Sequence, residues 1–215
     1  MLQTNLVNQI YDLIVKKIIS SELKMGNKIN MSSIAEEFKV SVTPIREALN
    51  KLTKVGLVKN IPNVGNFVVE INQKDIEEIL YIRELIENNS LKYALMEDNI
   101  ATFKKLLTYS EELKNEKDKN KIREIFYHLD TNIHLSIVKS TSNKWLIEMY
   151  ERIFNVLFVF ILKVHHSDEF YGQHFDHCIK LLEAIIGNNY IEAKKALGIH
   201  FDHTRENFNN YFNAE

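Results

Sequence analysis

Cysteine, proline and long apolar runs are all scarce in this chain of 215 residues. The one cysteine, Cys178, excludes an internal disulfide and fits a reducing compartment. The only two prolines, Pro44 and Pro62, lie in the first third. Beyond Asn72 glycine is scarce too, so little punctuates the rest of the chain, and long helices are expected there. The densest apolar stretch, residues 156–164, is too short to span a bilayer. The N-terminus lacks the compact apolar segment of a secretory signal. A cytoplasmic protein with no membrane partner is therefore expected. What is present is ordinary for a globular chain: 45% apolar residues, enough for a real core, and 26% charged residues.

The most informative stretch runs from Val40 to Val58. Ile45, Ala48, Leu49 and Leu52 recur at helical spacing and form a buried face. Ser41 or Thr43 can cap this helix, Pro44 suits its first turn, and Gly56 marks its end. Upstream, residues 6–19 carry a helical apolar pattern, and Ser32 or Ser33 opens a short helix through Ile34, Ala35 and Phe38. Downstream, residues 58–61 and 67–71 read as two strands around the turn Pro62-Asn63-Val64-Gly65-Asn66. Three helices and a hairpin make a winged helix-turn-helix, whose third helix suits a DNA major groove.

Gly26, Ile29, Ile34-Ala35, Phe38, Val40-Ser41, Thr43-Pro44-Ile45-Arg46-Glu47-Ala48-Leu49, Leu52 and Gly56-Leu57-Val58 together resemble the DNA-binding domain of the GntR family of bacterial transcription regulators. The resemblance implies contact with double-stranded operator DNA through Ser32, Ser41, Val42, Thr43 and Arg46, and through a wing containing Asn63, Gly65 and Asn66. Where the family commonly has arginine after the serine, this chain has Val42. That departure predicts a different base preference, such as contact with a thymine methyl.

The net charge of −2 hides an asymmetry. Residues 1–70 carry nine Lys and Arg against six Asp and Glu, whereas residues 71–215 carry 18 against 23. The positive end is the one with the helix-turn-helix, which favours phosphate contact there. The excess is modest, so strong binding calls for a homodimer on a two-part operator.

From residue 72 onward apolar spacing is helical almost throughout. Helices are expected at 73–96, 100–117, 120–140, 143–165, 168–187 and 189–212. The charge run 114–121 reads as a solvated helix end and loop. The predicted fold is mainly α, with a winged helix-turn-helix over residues 1–71 and an antiparallel six-helix bundle over 72–215.

Three polar groupings interrupt the apolar faces of the bundle. Asp130 and His134 share a helix face at i and i+4, His200 lies on an apolar stripe, and His174, His177 and Cys178 crowd one segment. Carboxylate, imidazole and thiolate groups on facing helices can close on a divalent metal. Arg83 and Glu87 form another i, i+4 pair. It reads either as a salt bridge or as a clamp for a carboxylate ligand.

Asp130-Thr131-Asn132-Ile133-His134, the following Asn143, the segment Leu181-Leu182-Glu183-Ala184-Ile185, and His200 resemble the FCD ligand-binding domain of the FadR-like GntR branch. This resemblance implies a metal site that also holds a small carboxylate metabolite, with Arg83 matching the arginine that opens the pattern. Six residues before Ala184, where the pattern has histidine, this chain has Cys178. Cys178 can ligate directly, His174 or His177 can substitute, or the site can hold its ligand without metal. Asp130, His134, Cys178 and His200 are the expected metal ligands, with zinc favoured over nickel or manganese. Arg83 and Glu87 are the expected effector contacts.

The resulting expectation is a ligand-responsive transcription regulator, by default a repressor relieved by an organic acid. One alternative senses the ion itself. A metal-dependent hydrolase is a further alternative, but no glutamate or lysine is placed as its general base.

Overall fold

A computed structural model describes residues 2–163 and 168–214. The break expected between helices, at residues 166–167, lies outside them. Helices α1 (Leu2–Ile19), α2 (Met31–Glu37) and α3 (Val42–Lys54) are followed by strands β1 (Val58–Ile61) and β2 (Gly65–Val68). Six helices follow: α4 (Gln73–Ala94), α5 (Glu97–Asn115), α6 (Lys119–Lys139), α7 (Lys144–Lys163), α8 (Asp168–Ile186) and α9 (Tyr190–Ala214). This is the mainly α architecture the apolar spacing predicts, with the two-stranded sheet as its wing. Among the described residues no helix is long and apolar enough to cross a membrane.

The chain forms two compact units. The first runs through Asp75 and also takes the second half of α7, from Glu151. The second comprises Ile76–Tyr150 together with α8 and α9.

In the first unit, Ile10 and Ile14 of α1, Ile34 and Ala35 of α2, and Ile45, Ala48, Leu49 and Leu52 of α3 share one apolar core with Val58 and Val68 of the wing. Local chemistry sets the boundaries. The N-cap of α2 is Asn30 rather than either serine, and its side-chain oxygen accepts from the Ser32 and Ser33 amides, both at 3.1 Å. Helix α2 starts one residue earlier than expected, so both serines are already inside its first turn. Ser41 does occupy the N-cap of α3, yet its hydroxyl makes no capping bond. Helix α3 ends at Val55, after which Gly56 takes φ +85°, the left-handed conformation a helix stop requires.

The strands pair antiparallel, from Val58↔Val68 to Ile61↔Gly65. The turn is tighter than the sequence suggests, and β2 begins at Gly65 rather than Phe67. Pro62 supplies a fixed φ and Asn63 takes φ +61°, so the Val64 N–H can return to the Ile61 carbonyl at 3.1 Å. Pairing therefore resumes at once. The segment at Gly26–Ile29 lies along the wing, with Ile29 N–H donating to Asn66 O at 2.8 Å and Val68 N–H to Asn27 O at 3.0 Å.

Beyond the wing, asparagines open several of the helices. Asn72 and Asp75 exchange side-chain and backbone bonds of 2.9 and 3.0 Å, a capping box for α4. Asn143 accepts from the Trp145 and Leu146 amides at 3.2 Å, and Asn189 from Glu192 at 3.2 Å. Helix α5 begins at Glu97, inside the expected linker, because Glu97 and Asp98 favour a helix N-terminus electrostatically. Leu80, Phe103, Leu129, Ile133, Leu181, Leu182, Leu197 and Phe201 fill the core around the buried polar groups described next.

Candidate functional site

Two sites emerge, one in each unit. The first is the outer face of α3. Its buried residues point inward, which leaves Ser41, Thr43 and Arg46 exposed, as Ser32 is at the start of α2. Val42 is half-buried and packs against the core with part of its surface. A shallow groove runs between Arg46 and Asn50 of α3 and Asn60, Asn63, Val64 and Gly65 of the wing. Asn63 is exposed at the wing tip. Asn66 differs from the other expected DNA contacts. It is only 7% exposed, and its amide accepts from Asn60 Nδ2 at 2.8 Å and reaches Met31 Sδ at 3.8 Å. Its side chain is committed to holding the wing, not offered outward.

The second site is a buried polar cluster built by α4, α6, α7, α8 and α9. Asp130, His174, Cys178 and His200 each turn a donor atom inward, and the four atoms lie within 4.8 Å of one another. His174 Nε2 is 3.0 Å and His200 Nε2 3.4 Å from Asp130 Oδ1. Cys178 Sγ lies 3.7 Å from the same oxygen and 4.0 Å from His200 Nδ1. His174 and Cys178 sit at i and i+4 on α8, so both face the same group of donors.

His134, an expected ligand, lies beside this group of four. Its Nε2 is 2.8 Å from His200 Nε2 and 3.4 Å from Asp130 Oδ1, while its Nδ1 bonds Glu87. His177 does not join the group. It is half-buried and set edge-on against His203, with ring centroids 5.0 Å apart.

Arg83 and Glu87, the expected effector contacts, are buried beneath the cluster. Arg83 is 2% exposed and donates to Glu87 through Nη2 at 3.0 Å and Nε at 3.2 Å. The Tyr150 hydroxyl also donates to Glu87. Glu87 thus ties Arg83, Tyr150 and His134 together. Sequence spacing gives the i, i+4 pair but not Tyr150, which reaches it from α7. Trp145 and Tyr81 lie at the surface, 72% and 61% exposed.

Charges in this dry environment are strongly coupled. Burial opposes ionisation of Asp130, yet His134 and His174 outweigh it and hold the carboxyl well below its usual range. Glu87 is lowered in the same way, by His134 and Arg83 against burial. The His134 pKa rises to about 9: burial and Arg83 oppose the charge, but Glu87 and Asp130 win. Burial, with His174 and His134 beside it, pushes His200 well down. Burial and Asp130 push the Cys178 thiol well up. A neutral imidazole, a carboxylate and a thiol that a cation can deprotonate form a donor set suited to a borderline divalent ion.

Two family profiles match the two parts of the chain. The family profile "Bacterial regulatory proteins, gntR family" matches residues 6–68, and the FCD domain profile matches residues 78–203. The chain is 27% identical over 206 residues to the HTH-type transcriptional regulator YdhC of Bacillus subtilis, covering 92% of this chain and 88% of the relative. It is 27% identical over 151 residues to a probable D-xylose utilization operon transcriptional repressor of Paenarthrobacter nicotinovorans, covering 70% of this chain and 66% of that one. The fold matches a putative GntR regulator from Rhodococcus sp. RHA1 with a TM-score of 0.72 at 17% identity, covering 93% and 95% of the two chains. With a winged helix at one end and an FCD domain at the other, the chain belongs to the GntR family and is a transcription regulator, not an enzyme.

Proposed function

We propose that the protein is a cytoplasmic, homodimeric repressor whose grip on operator DNA is set by what the buried cluster binds. Ser32, Ser41, Thr43 and Arg46 meet base edges and phosphates, Val42 offers a methyl surface to thymine, and the wing at Asn63 and Gly65 follows the backbone. The repressor named among the relatives supports the direction of control. The cluster takes a divalent ion, zinc before nickel or manganese, through Asp130, Cys178 and His200. His174 is the fourth donor, and His134 stands at the margin. The ion would supply Lewis acidity that holds a small organic acid, and Arg83 would add positive charge beside that ligand. The observation that carries this reading is the convergence of four buried donors from three helices within 4.8 Å. A second reading, in which the ion itself is the signal, is favoured by a donor set that can satisfy tetrahedral zinc without help.

The test is fluorescence anisotropy on a labelled fragment of the promoter region beside the gene, against a scrambled fragment. It is run with metal-stripped protein, with zinc, and with zinc plus candidate carboxylates. Specific binding altered only by zinc with a carboxylate supports the first reading, and binding altered by zinc alone supports the second. Affinity no better than for the scrambled fragment rejects the proposal.

A further inference from the structure

His174 faces two ways. Its Nε2 lies 3.0 Å from Asp130 Oδ1, and its Nδ1 lies 3.3 Å from the Nδ1 of His203, one turn beyond His200 on α9. His203 Nε2 in turn lies 3.2 Å from Gln173 Oε1. A carboxylate and an amide oxygen can only accept, so each Nε2 carries the proton. His203 therefore offers its Nδ1 lone pair towards His174. That contact is a hydrogen bond only when His174 Nδ1 carries a proton too. Its Nε2 must then hold a further proton or a metal ion. A divalent ion in place of the Nε2 proton, which leaves to solvent, disturbs nothing else in the chain of bonds out to Gln173.

We infer that His203, braced by Gln173, is a positioning residue that holds His174 in the tautomer that ligates the ion through Nε2. This inference rests on the reading that the cluster binds a divalent ion. Nothing comparable orients His177. Its Nδ1 is buried without a hydrogen-bond partner among the described residues. Metal-bound imidazoles are commonly oriented by an acceptor at the second nitrogen, and losing it weakens binding by about 10- to 100-fold.

The experiment measures zinc affinity of full-length, metal-stripped protein by competition with a chromogenic chelator. His203→Leu should weaken zinc by about 10- to 100-fold. His203→Gln, whose amide oxygen can accept from His174 Nδ1, should recover most of the loss, a rescue that a merely structural role would not give. His177→Leu should bind as the unmodified protein does. Gln173→Leu, at an exposed position, should produce a smaller loss in the same direction and covers the case that His203→Leu fails to fold. Unchanged affinity in both His203→Leu and Gln173→Leu, or a His203→Gln variant as weak as His203→Leu, overturns the assignment while leaving the metal site intact. No zinc uptake by the unmodified protein overturns the metal reading itself, and this assignment with it.

Discussion

Glu87 decides more at the residue scale than any other side chain. It is fully buried and neutralises Arg83 while receiving bonds from Tyr150 and His134. Replacing it with leucine removes the carboxylate bonded to both Arg83 and His134, so Glu87→Leu should cost about 3–5 kcal/mol in urea denaturation. Glu87→Gln keeps the shape and should cost less. The pair also predicts a pH dependence for metal-stripped protein. His134 titrates near about 9 when folded, against about 6.5 when unfolded. A raised pKa stabilises fully below the unfolded value, and the contribution is lost as pH rises through the folded one. Stability should therefore fall between about pH 6.5 and 9, and that slope should flatten in Glu87→Gln. An equal slope in both proteins would remove His134 from the account. Metal content follows the same chemistry. Zinc measured by plasma mass spectrometry should be lost in Asp130→Ala, whose oxygen lies near every other donor of the cluster, and reduced in Cys178→Ala. Full zinc in Cys178→Ala would make that thiol a packing residue. The nearness of Asp130, Cys178 and His200 was legible from the resemblance that names them. The parts played by His174, His203 and Tyr150 were not, because spacing gives the face a residue shares but not which ring nitrogen meets which partner across helices.

Helix boundaries were legible wherever a single residue enforces them. Pro44 in its first turn and Gly56 just beyond its end place α3, and no neighbour needs to be known for either. The reading slipped where two polar candidates stood close together. Three capping-competent residues, Asn30, Ser32 and Ser33, lie around Met31, and Asn30, in extended backbone, takes the cap. The strand β2 slipped for a similar reason, since Gly65 and Asn66 are turn formers by type, yet a left-handed Asn63 closes the turn before they are needed. Asn30→Ala removes the acceptor for two amides of α2 and should destabilise the first unit by about 1 kcal/mol. Asn30→Asp should be nearly neutral, and thermal melts of the two variants would separate the cap from mere substitution. The consequence reaches the proposed function: α2 supports the face proposed to meet DNA, so Asn30→Ala should also weaken operator binding modestly.

At the scale of the whole molecule, positive and negative charge are divided along the chain: residues 1–70 are net positive, the remainder net negative. A modest excess of cations gives a single winged helix little hold on phosphate, so in the proposed homodimer specificity would rest on few side chains and on two copies acting together. Arg46 is the exposed cation at the centre of the α3 face, on the groove that leads to the wing. One base contact of this kind is worth about 1–3 kcal/mol, and a dimer makes it twice. Arg46→Ala should therefore weaken promoter binding by at least about 10-fold while leaving zinc content and melting temperature unchanged. Lys59→Ala, on the exposed part of β1, should lower affinity for specific and scrambled DNA alike and reduce the salt dependence, as a phosphate contact does. If Arg46→Ala lowered specific and nonspecific binding equally, Arg46 would be a phosphate contact, and base reading would pass to Thr43 and Val42. If zinc content fell with it, the separation of DNA reading from ligand sensing along the chain would not hold.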